Sequence, residues 1–258
     1  MFLTLHLNRW RLIIPLVLMA LASSLNLATP ASAQEPEAVI LLHGLARSSS
    51  SMNKLQAALT GQGYHVLNIS YPSRSADIPT LSETTLGAAL QDPTLTPRHR
   101  IHFVTHSLGG ILVRYYFSHH TDPRLGRVVM LGPPNQGSQV VDKIGTWWAF
   151  RKINGPAGRQ LGTASNSLPN RLGPVTFELG IIAGNRSINW INSAMIPGPD
   201  DGKVSIENTK IQGMKDHIVI QASHPFLMKN PHAIHLTLTF LAHGAFHSPD
   251  SPRENLSP

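Results

Sequence analysis

The stretch THSLGG at residues 105–110 decides the fold, because it joins an apolar strand to a helix through a very short turn. Residues 101–105 (IHFVT) predict a buried strand, and residues 108–118 predict a helix that begins directly after Ser107. Such a turn is typical of a nucleophile elbow, which holds the serine above the sheet beside a helix N-terminus. The usual pattern is G-x-S-x-G; here Thr105 replaces the first glycine and Gly109 keeps the second. The alternative interpretation is a serine that only caps a helix.

Apolar runs that fit strands recur on both sides of this turn, with helical spacing between them. The predicted strands are residues 38–42, 65–70, 101–105, 127–131, 179–183 and 218–222, and the predicted helices are residues 51–60, 81–90, 108–118 and 230–243. Strands without polar alternation are typical of sheets covered on both faces, and their alternation with helices indicates parallel βαβ units. The sequence therefore predicts an α/β fold, with a compact, mostly parallel sheet of about six strands flanked by helices.

Composition excludes several classes of function. The 258 residues are 41% hydrophobic, which is enough for one domain with a substantial core. There is no cysteine, so disulfide scaffolds, cysteine-based metal sites and a thiol nucleophile are excluded. The net charge of +7 comes from scattered bases, with no run longer than Arg151–Lys152, whereas nucleic-acid binding favours clustered bases. We expect no nucleic-acid partner, no metal and no cofactor.

Residues 1–33 have the three parts of a secretory signal peptide. Arg9 and Arg11 supply the positive charge, residues 12–22 (LIIPLVLMALA) form the apolar segment, and residues 31–33 (ASA) match a cleavage site. The alternative is an uncleaved anchor, but the apolar segment is shorter than the roughly 20 residues that span a bilayer. We expect a secreted or periplasmic domain at residues 34–258, with a frayed tail at 244–258.

Five motifs, taken in order, make the chain resemble the bacterial lipase and esterase branch of the α/β-hydrolase family. They are HG at residues 43–44, THSLGG at 105–110, GPPNQG at 132–137, DGKV at 201–204 and SHPF at 223–226. The resemblance covers most of residues 38–242 and implies the compact lipase version of the fold. The motifs are specific to the family but not to a substrate.

The candidate acids are Asp200 and Asp201, in a loop after the predicted strand 179–183. Active sites of parallel sheets lie at the carboxyl ends of the strands, where this loop should be. In similar lipases the carboxylate directly before Gly in D-G-x-V orients the histidine, which implies Asp201. Asp200 could be a helper or the orienting group itself, and either aspartate could simply satisfy backbone N–H groups in a turn.

The candidate base is His224, which follows the last predicted strand. The chain has 14 histidines, so abundance alone proves nothing. His217 lies at the entrance of that strand, on the opposite edge of the sheet, and His232, His235 and His243 belong to the terminal helix. His224 would remove the Ser107 proton and later protonate the leaving alcohol, while Asp201 fixes the imidazole tautomer.

The resemblance also implies an oxyanion hole made by the backbone N–H groups of Leu45 and Leu108. Gly44 lets the loop after the first strand turn and approach the substrate. We expect His43 to brace that loop by hydrogen bonds, and we expect His106 to be structural as well.

Residues 143–175 interrupt the alternation of strands and helices, at the edge where the site should lie. Insertions there often cover or shape a pocket. Trp147, Trp148 and Phe150 lie beside Arg151 and Lys152, so one hypothesis is a lid whose aromatic rings meet lipid and whose bases meet anionic head groups. The alternative is that the rings pack a helix onto the sheet.

Together these features predict an exported serine hydrolase that cleaves carboxylic esters through an acyl-enzyme. Its expected partner is a small-molecule ester or a lipid, with transient contact to a membrane or lipid interface. An acyltransferase would use the same triad. A non-catalytic binding protein is expected to lack one triad position, whereas Ser107, Asp201 and His224 are all present.

Overall fold

The computed structural model describes residues 36–247, so the predicted signal peptide and residues 248–258 lie outside the described residues. Within that range, strands and helices alternate along the chain as expected. The strands are β1 (Ala38–Leu42), β2 (His65–Ile69), β3 (Ile101–His106), β4 (Leu125–Leu131), β5 (Leu179–Gly184) and β6 (Asp216–Ile220). The helices are α1 (Asn53–Gly61), α2 (Ile78–Leu90), α3 (Leu108–His119), α4 (Gln139–Ile144), α5 (Trp148–Arg159), α6 (Leu168–Arg171), α7 (Trp190–Ser193), α8 (Ile206–Thr209) and α9 (Pro231–His243).

These six strands form one sheet in the order β2-β1-β3-β4-β5-β6, and every neighbouring pair is parallel. The predicted fold class is therefore confirmed. The chain runs outward from β1 to β2 and then returns to place β3 on the other side of β1. This reversal opens a crevice at the carboxyl ends of β1 and β3, the usual place for a ligand in such sheets. Leu42 of β1 pairs with Thr105 of β3, so the loops that follow both strands begin side by side.

The core lies in two layers, one on each face of the sheet. Alternate residues of β1 enter opposite layers: Ile40 and Leu42 pack with α2 and α3, while Val39 and Leu41 pack with α1 and α9. All five residues of β1 are fully buried, because parallel strands with helices on both faces have no solvent-facing side. Because every residue of β1 is buried, the strand appears in the sequence as a continuous apolar run.

Two strands begin earlier than predicted, and in both the first residues are only half-buried. β6 is Asp216–Ile220 rather than 218–222, and it is an edge strand with mostly half-buried residues. An apolar run identifies strands buried on both faces, so it misses polar residues that pair at an edge. β4 likewise begins at Leu125 rather than at residue 127, with three half-buried residues.

The first residues after α9 pack against the domain. The buried Phe246 donates its backbone N–H to the Asp216 carboxylate at 2.8 Å. The expected frayed tail therefore does not begin at residue 244.

Two long connections lie above the carboxyl edge of the sheet. Residues 132–178 contain α4, α5 and α6, and residues 185–215 contain α7 and α8. No helix in the described part of the chain is long and apolar enough to cross a membrane.

Candidate active site

Ser107 occupies a strained turn between β3 and α3. Its φ of 52° and ψ of −118° lie outside the regions that side-chain-bearing residues favour, and such strain concentrates at functional sites. The Ser107 amide donates to the Leu131 carbonyl at 2.9 Å, and the Ser107 carbonyl accepts from Gly110 at 3.0 Å. A Cβ atom on Gly109 would lie 2.7 Å from the Leu42 carbonyl oxygen, so a small residue is required there. The strand, turn and helix predicted around this serine are confirmed.

Asp201 and His224 form a buried hydrogen-bonded pair. The His224 Nδ1–H donates to Asp201 Oδ2 at 2.7 Å, and the His224 backbone N–H donates to the Asp201 carbonyl at 2.9 Å. The other carboxylate oxygen, Oδ1, accepts from the amides of Lys203 and Val204, both at 2.9 Å. Two backbone donors therefore fix the carboxylate, and the carboxylate keeps the proton on Nδ1. In the tautomer that this hydrogen bond selects, Nε2 is the ring nitrogen that can accept a proton.

Asp200 has different contacts from its neighbour. Its Oδ1 accepts from the Ser193 hydroxyl at 2.7 Å and from the Gly202 amide at 2.6 Å. It makes no hydrogen bond to His224 within the described structure. Asp200 therefore closes the turn that carries Asp201, and it is Asp201 that contacts the imidazole.

His43 braces the loop after β1, as expected. Its ring stacks on Tyr71 with centroids 4.1 Å apart, and the Tyr71 hydroxyl donates to the His43 carbonyl at 2.6 Å. Nδ1–H donates to the Gly44 carbonyl at 2.8 Å, and Nε2 accepts from the Tyr71 amide at 3.3 Å. Burial lowers the pKa of His43, which favours this neutral ring.

His106 connects three parts of the site. Its Nε2–H donates to the His224 carbonyl at 3.0 Å, and the two rings lie 4.8 Å apart. A Cβ atom on Gly44 would lie 2.6 Å from His106 Nδ1, so the loop after β1 comes this close only with glycine. Burial lowers the pKa of His106 well below its ordinary value, and the nearby His224 lowers it further. A neutral His106 therefore fixes the backbone of the loop that carries His224.

The two candidate oxyanion donors are the residue after Ser107 and a residue of the loop after β1. Leu108 is the first residue of α3, so its N–H has no acceptor within the helix. Leu45 follows Gly44 in the loop after β1 and lines the same cavity as Ser107. Their role as oxyanion donors stays a prediction.

Ser107, Asp201 and His224 open onto one cavity of about 220 Å³. Most of its other walls come from the two long connections above the sheet. The apolar lining includes Leu45, Val140, Val141, Phe150, Leu161 and Ile188, and the polar lining includes Arg47, Asn154, Asn189, Asn192 and Lys203. An apolar pocket with a few convergent polar groups is the usual form of a small-molecule site. Residues 36–247 contain no group of three or more His, Asp or Glu side chains that could hold a metal ion.

The family model of the alpha/beta hydrolase family matches residues 39–200, which include the elbow and end one residue before Asp201. The chain belongs to the alpha/beta hydrolase family. No curated protein sequence matches it significantly.

Solved structures similar to this α/β hydrolase include lipases and a phospholipase. A mature lipase of Bacillus licheniformis is 21% identical, with a TM-score of 0.63 over 81% of this chain and 91% of that one. Phospholipase PlaB of Legionella pneumophila is 18% identical, with a TM-score of 0.62 over 73% of this chain and 52% of that one. Lipase B of Aspergillus fumigatus is 14% identical, with a TM-score of 0.57 over 83% of this chain and 55% of that one. The chain thus spans about half the length of the last two, and at these identities the likeness establishes the fold alone.

The two tryptophans of the predicted lid are exposed in this α/β hydrolase. Trp147 is 62% and Trp148 is 76% accessible, and neither lines the cavity. The alternative that the three rings of this segment pack a helix onto the sheet is therefore wrong for Trp147 and Trp148. Phe150 is the aromatic residue of this segment that is buried and lines the cavity.

A second exposed apolar segment, residues 188–191, was missed at the sequence level. Trp190 is 79% and Ile188 is 67% accessible, and Ile188 also lines the cavity. The only signal was the INWI run inside a loop otherwise rich in Asn, Ser, Gly and Pro.

Arg114 is buried and stabilises the connection between β4 and β5, a role that the sequence alone did not predict. Its guanidinium donates to Asn135 O and Oδ1, to Pro169 O and to Gly173 O, at 2.9 to 3.2 Å. Burial lowers the pKa of Arg114 to about 10. The residue ties the connection between β4 and β5 to α3.

Proposed function

We propose that this α/β hydrolase cleaves carboxylic esters through Ser107, His224 and Asp201. The observation that carries the proposal is the buried hydrogen bond from His224 to Asp201, beside a strained serine in the same cavity. A nucleophile needs a base to accept its proton, and the base needs a third group to fix its tautomer. These three residues supply all of those roles.

In the proposed mechanism, the Ser107 oxygen attacks the ester carbonyl and passes its proton to Nε2 of His224. The resulting imidazolium is stabilised by Asp201. The carbon–oxygen bond to the alcohol then breaks, and His224 gives its proton to the leaving alcohol. Water attacks the acyl-enzyme with His224 again as base, which releases the carboxylic acid and restores Ser107.

The tetrahedral intermediates carry negative charge on the former carbonyl oxygen. The amides of Leu45 and Leu108 are the proposed donors, since Leu108 directly follows Ser107 and Leu45 lines the same cavity. Each such donor typically contributes about 10²- to 10³-fold to turnover.

A lipid or other ester with an apolar acyl chain fits the surroundings of the site. The cavity wall includes Val140, Phe150 and Leu161, and the exposed rings of Trp147 and Trp148 lie in the same connection between β4 and β5. Amphipathic aromatic side chains next to bases favour transient contact with a lipid interface. We further propose export, because the leader has the pattern of a cleavable signal peptide.

The test is Ser107→Ala in the purified mature chain. We expect hydrolysis of p-nitrophenyl butyrate to fall to background with an unchanged melting temperature, and we expect an organophosphonate to label Ser107 alone. Ser118→Ala is the matched control, because Ser118 lies in the last turn of the helix that begins after Ser107 and does not line the cavity. Labelling of another residue, or activity that persists in Ser107→Ala, would refute the mechanism.

A further inference from the structure

The cavity that contains Ser107 carries more positive than negative charge. Arg47 and Lys203 line it, and the single carboxylate in its lining is Asp201. That carboxylate already accepts from His224 and from two backbone amides. Neither Arg47 nor Lys203 forms an ion pair with a described carboxylate, whereas Arg124, Arg127 and Lys215 on the surface do.

The backbone positions of both cations are fixed. The Lys203 amide donates to Asp201, and the Lys203 carbonyl accepts from the Ser138 hydroxyl at 2.6 Å. The Arg47 amide donates to the Gly44 carbonyl at 3.2 Å, in the same loop that carries Leu45. Ala46, which precedes Arg47 in this loop, has a φ of 55°, a strained value for a residue with a side chain. Strain of this kind is retained at sites where position matters.

The two cations lie close enough to affect each other. Loss of solvent around the Lys203 ammonium group lowers its pKa; Asp201 opposes this change, and the charge of Arg47 adds to it. Arg47 and Lys203 both keep contact with solvent, so water and salt screen part of the repulsion between their charges. A bound anion would remove that repulsion.

A second, more open pocket begins on the other side of Arg47. It is lined by Arg47, Lys229 and the serines at 48, 50 and 51. Lys229 also has no ion-pair partner among the described carboxylates. Guanidinium, ammonium and hydroxyl groups are typical ligands of carboxylate and phosphate.

We propose that the substrate of Ser107 is an ester that also carries an anionic group, a carboxylate or a phosphate, held by Arg47 and Lys203. The inference rests on the proposed ester chemistry and adds the charge of the substrate to it. The anion would pair with the guanidinium at the rim while the ester carbonyl reaches Ser107.

The experiment compares matched anionic and neutral esters. The carboxylate arm uses mono-p-nitrophenyl glutarate against p-nitrophenyl pentanoate, and the phosphate arm uses dihexanoyl phosphatidic acid against dihexanoylglycerol, all as monomers. We expect the wild type to have the higher kcat/KM on the anionic ester of at least one arm. Whichever arm shows the preference identifies the anion.

The variants Arg47→Gln and Lys203→Gln are expected to lower the ratio of anionic to neutral kcat/KM by about 10- to 100-fold, the worth of a charge-assisted hydrogen bond. Arg171→Gln is the control for overall charge, because Arg171 is exposed and does not line the cavity. An unchanged ratio in both variants, or an equal fall in Arg171→Gln, would overturn the proposal. If Lys203→Gln fails to fold, Arg47→Gln alone decides.

Binding to the Ser107→Ala protein separates this inference from the proposed function. Calorimetry with mono-p-nitrophenyl glutarate should detect binding that Arg47→Gln weakens in the same background, even if no ester is hydrolysed. Hydrolysis of neutral esters at Ser107 without any preference for anions would refute the inference and leave the proposed function intact.

Discussion

The contacts of Asp201 predict how strongly the substitution Asp201→Asn lowers turnover, because Asp201 Oδ2 is the atom that accepts from His224. Asn has the same shape as Asp, but one of its two terminal atoms is a donor. If the Asn oxygen keeps the bonds to the Lys203 and Val204 amides, its NH₂ group faces Nδ1 of His224. Nδ1 must then accept a hydrogen bond, and the ring proton moves to Nε2. The base can no longer accept the proton of Ser107.

The opposite orientation of the Asn side chain is less favourable. Its NH₂ group would then face two backbone N–H donors, and two buried hydrogen bonds would be lost at a cost of about 2 kcal/mol or more. The first orientation therefore dominates. We expect Asp201→Asn to lower kcat on p-nitrophenyl butyrate by about 10³- to 10⁴-fold, which corresponds to roughly 4 to 5.5 kcal/mol.

Asp200→Asn is the matched control for this prediction. Its Oδ1 accepts from Ser193 and Gly202, and an amide oxygen can accept the same two bonds. We expect less than a tenfold change in kcat. The assay is steady-state kinetics at pH 8, with a melting curve for each variant. A kcat of Asp201→Asn within tenfold of the wild type, or an equal loss in Asp200→Asn, would refute the assignment.

Three further predictions concern the surroundings of the site. Trp148→Ala should lower activity on aggregated long-chain esters and spare soluble p-nitrophenyl acetate, since the ring is exposed; equal losses with a lower melting temperature would contradict this. Arg114→Met leaves buried carbonyl groups unpaired and should cost roughly 3 kcal/mol, about 6–12 °C in melting temperature. The folded chain resists protonation of His106, because its pKa is lowered, while the unfolded chain takes up the proton near pH 6.5. Stability should therefore fall below pH 6.5, by up to about 1.4 kcal/mol per pH unit from this residue, and urea midpoints from pH 7.5 to 5.5 should fall less in His106→Gln.

The sequence was most informative where burial is complete. β1 is buried along its whole length, so its apolar run was enough to place both ends of the strand. The same reasoning failed at the amino end of β6, because residues at a sheet edge are selected for pairing rather than for apolar character. A run of apolar residues therefore indicates that a strand is buried, but it does not show at which residue the strand begins.

The choice between Asp200 and Asp201 required more than position along the chain. The two carboxylates are adjacent, both are buried, and both accept backbone N–H groups. Only the direction of each side chain separates them, and that direction is set by the turn. A resemblance to a D-G-x-V motif pointed to Asp201, whereas composition and spacing left both open.

The exposed tryptophans and the buried arginine show a different limit. Trp148 and Arg114 contradict the usual behaviour of their residue types, since tryptophan is commonly buried and arginine commonly exposed. The surroundings of both residues depend on the connection between β4 and β5, whose packing rests on contacts distant in sequence. The pattern of neighbouring residues in the sequence does not predict contacts of this kind.

The reacting groups of the site could be predicted from the sequence, whereas the walls of its cavity could not, and the architecture of the site explains this difference. Ser107 and the loop after β1 begin at adjacent, paired strands, so the sheet fixes their relative positions. His224 is tied to the same place by its backbone, through His106 and Asp201. The apolar walls, by contrast, come largely from the two connections above the sheet. Changes in the connection between β4 and β5 can therefore alter the accepted substrate without replacing a reacting group. The connection between β5 and β6 differs, because it carries Asp201 and Lys203. Since Arg47 lies in the loop after β1 and Lys203 lies beside Asp201, the proposed anion preference should persist when the connection between β4 and β5 is changed.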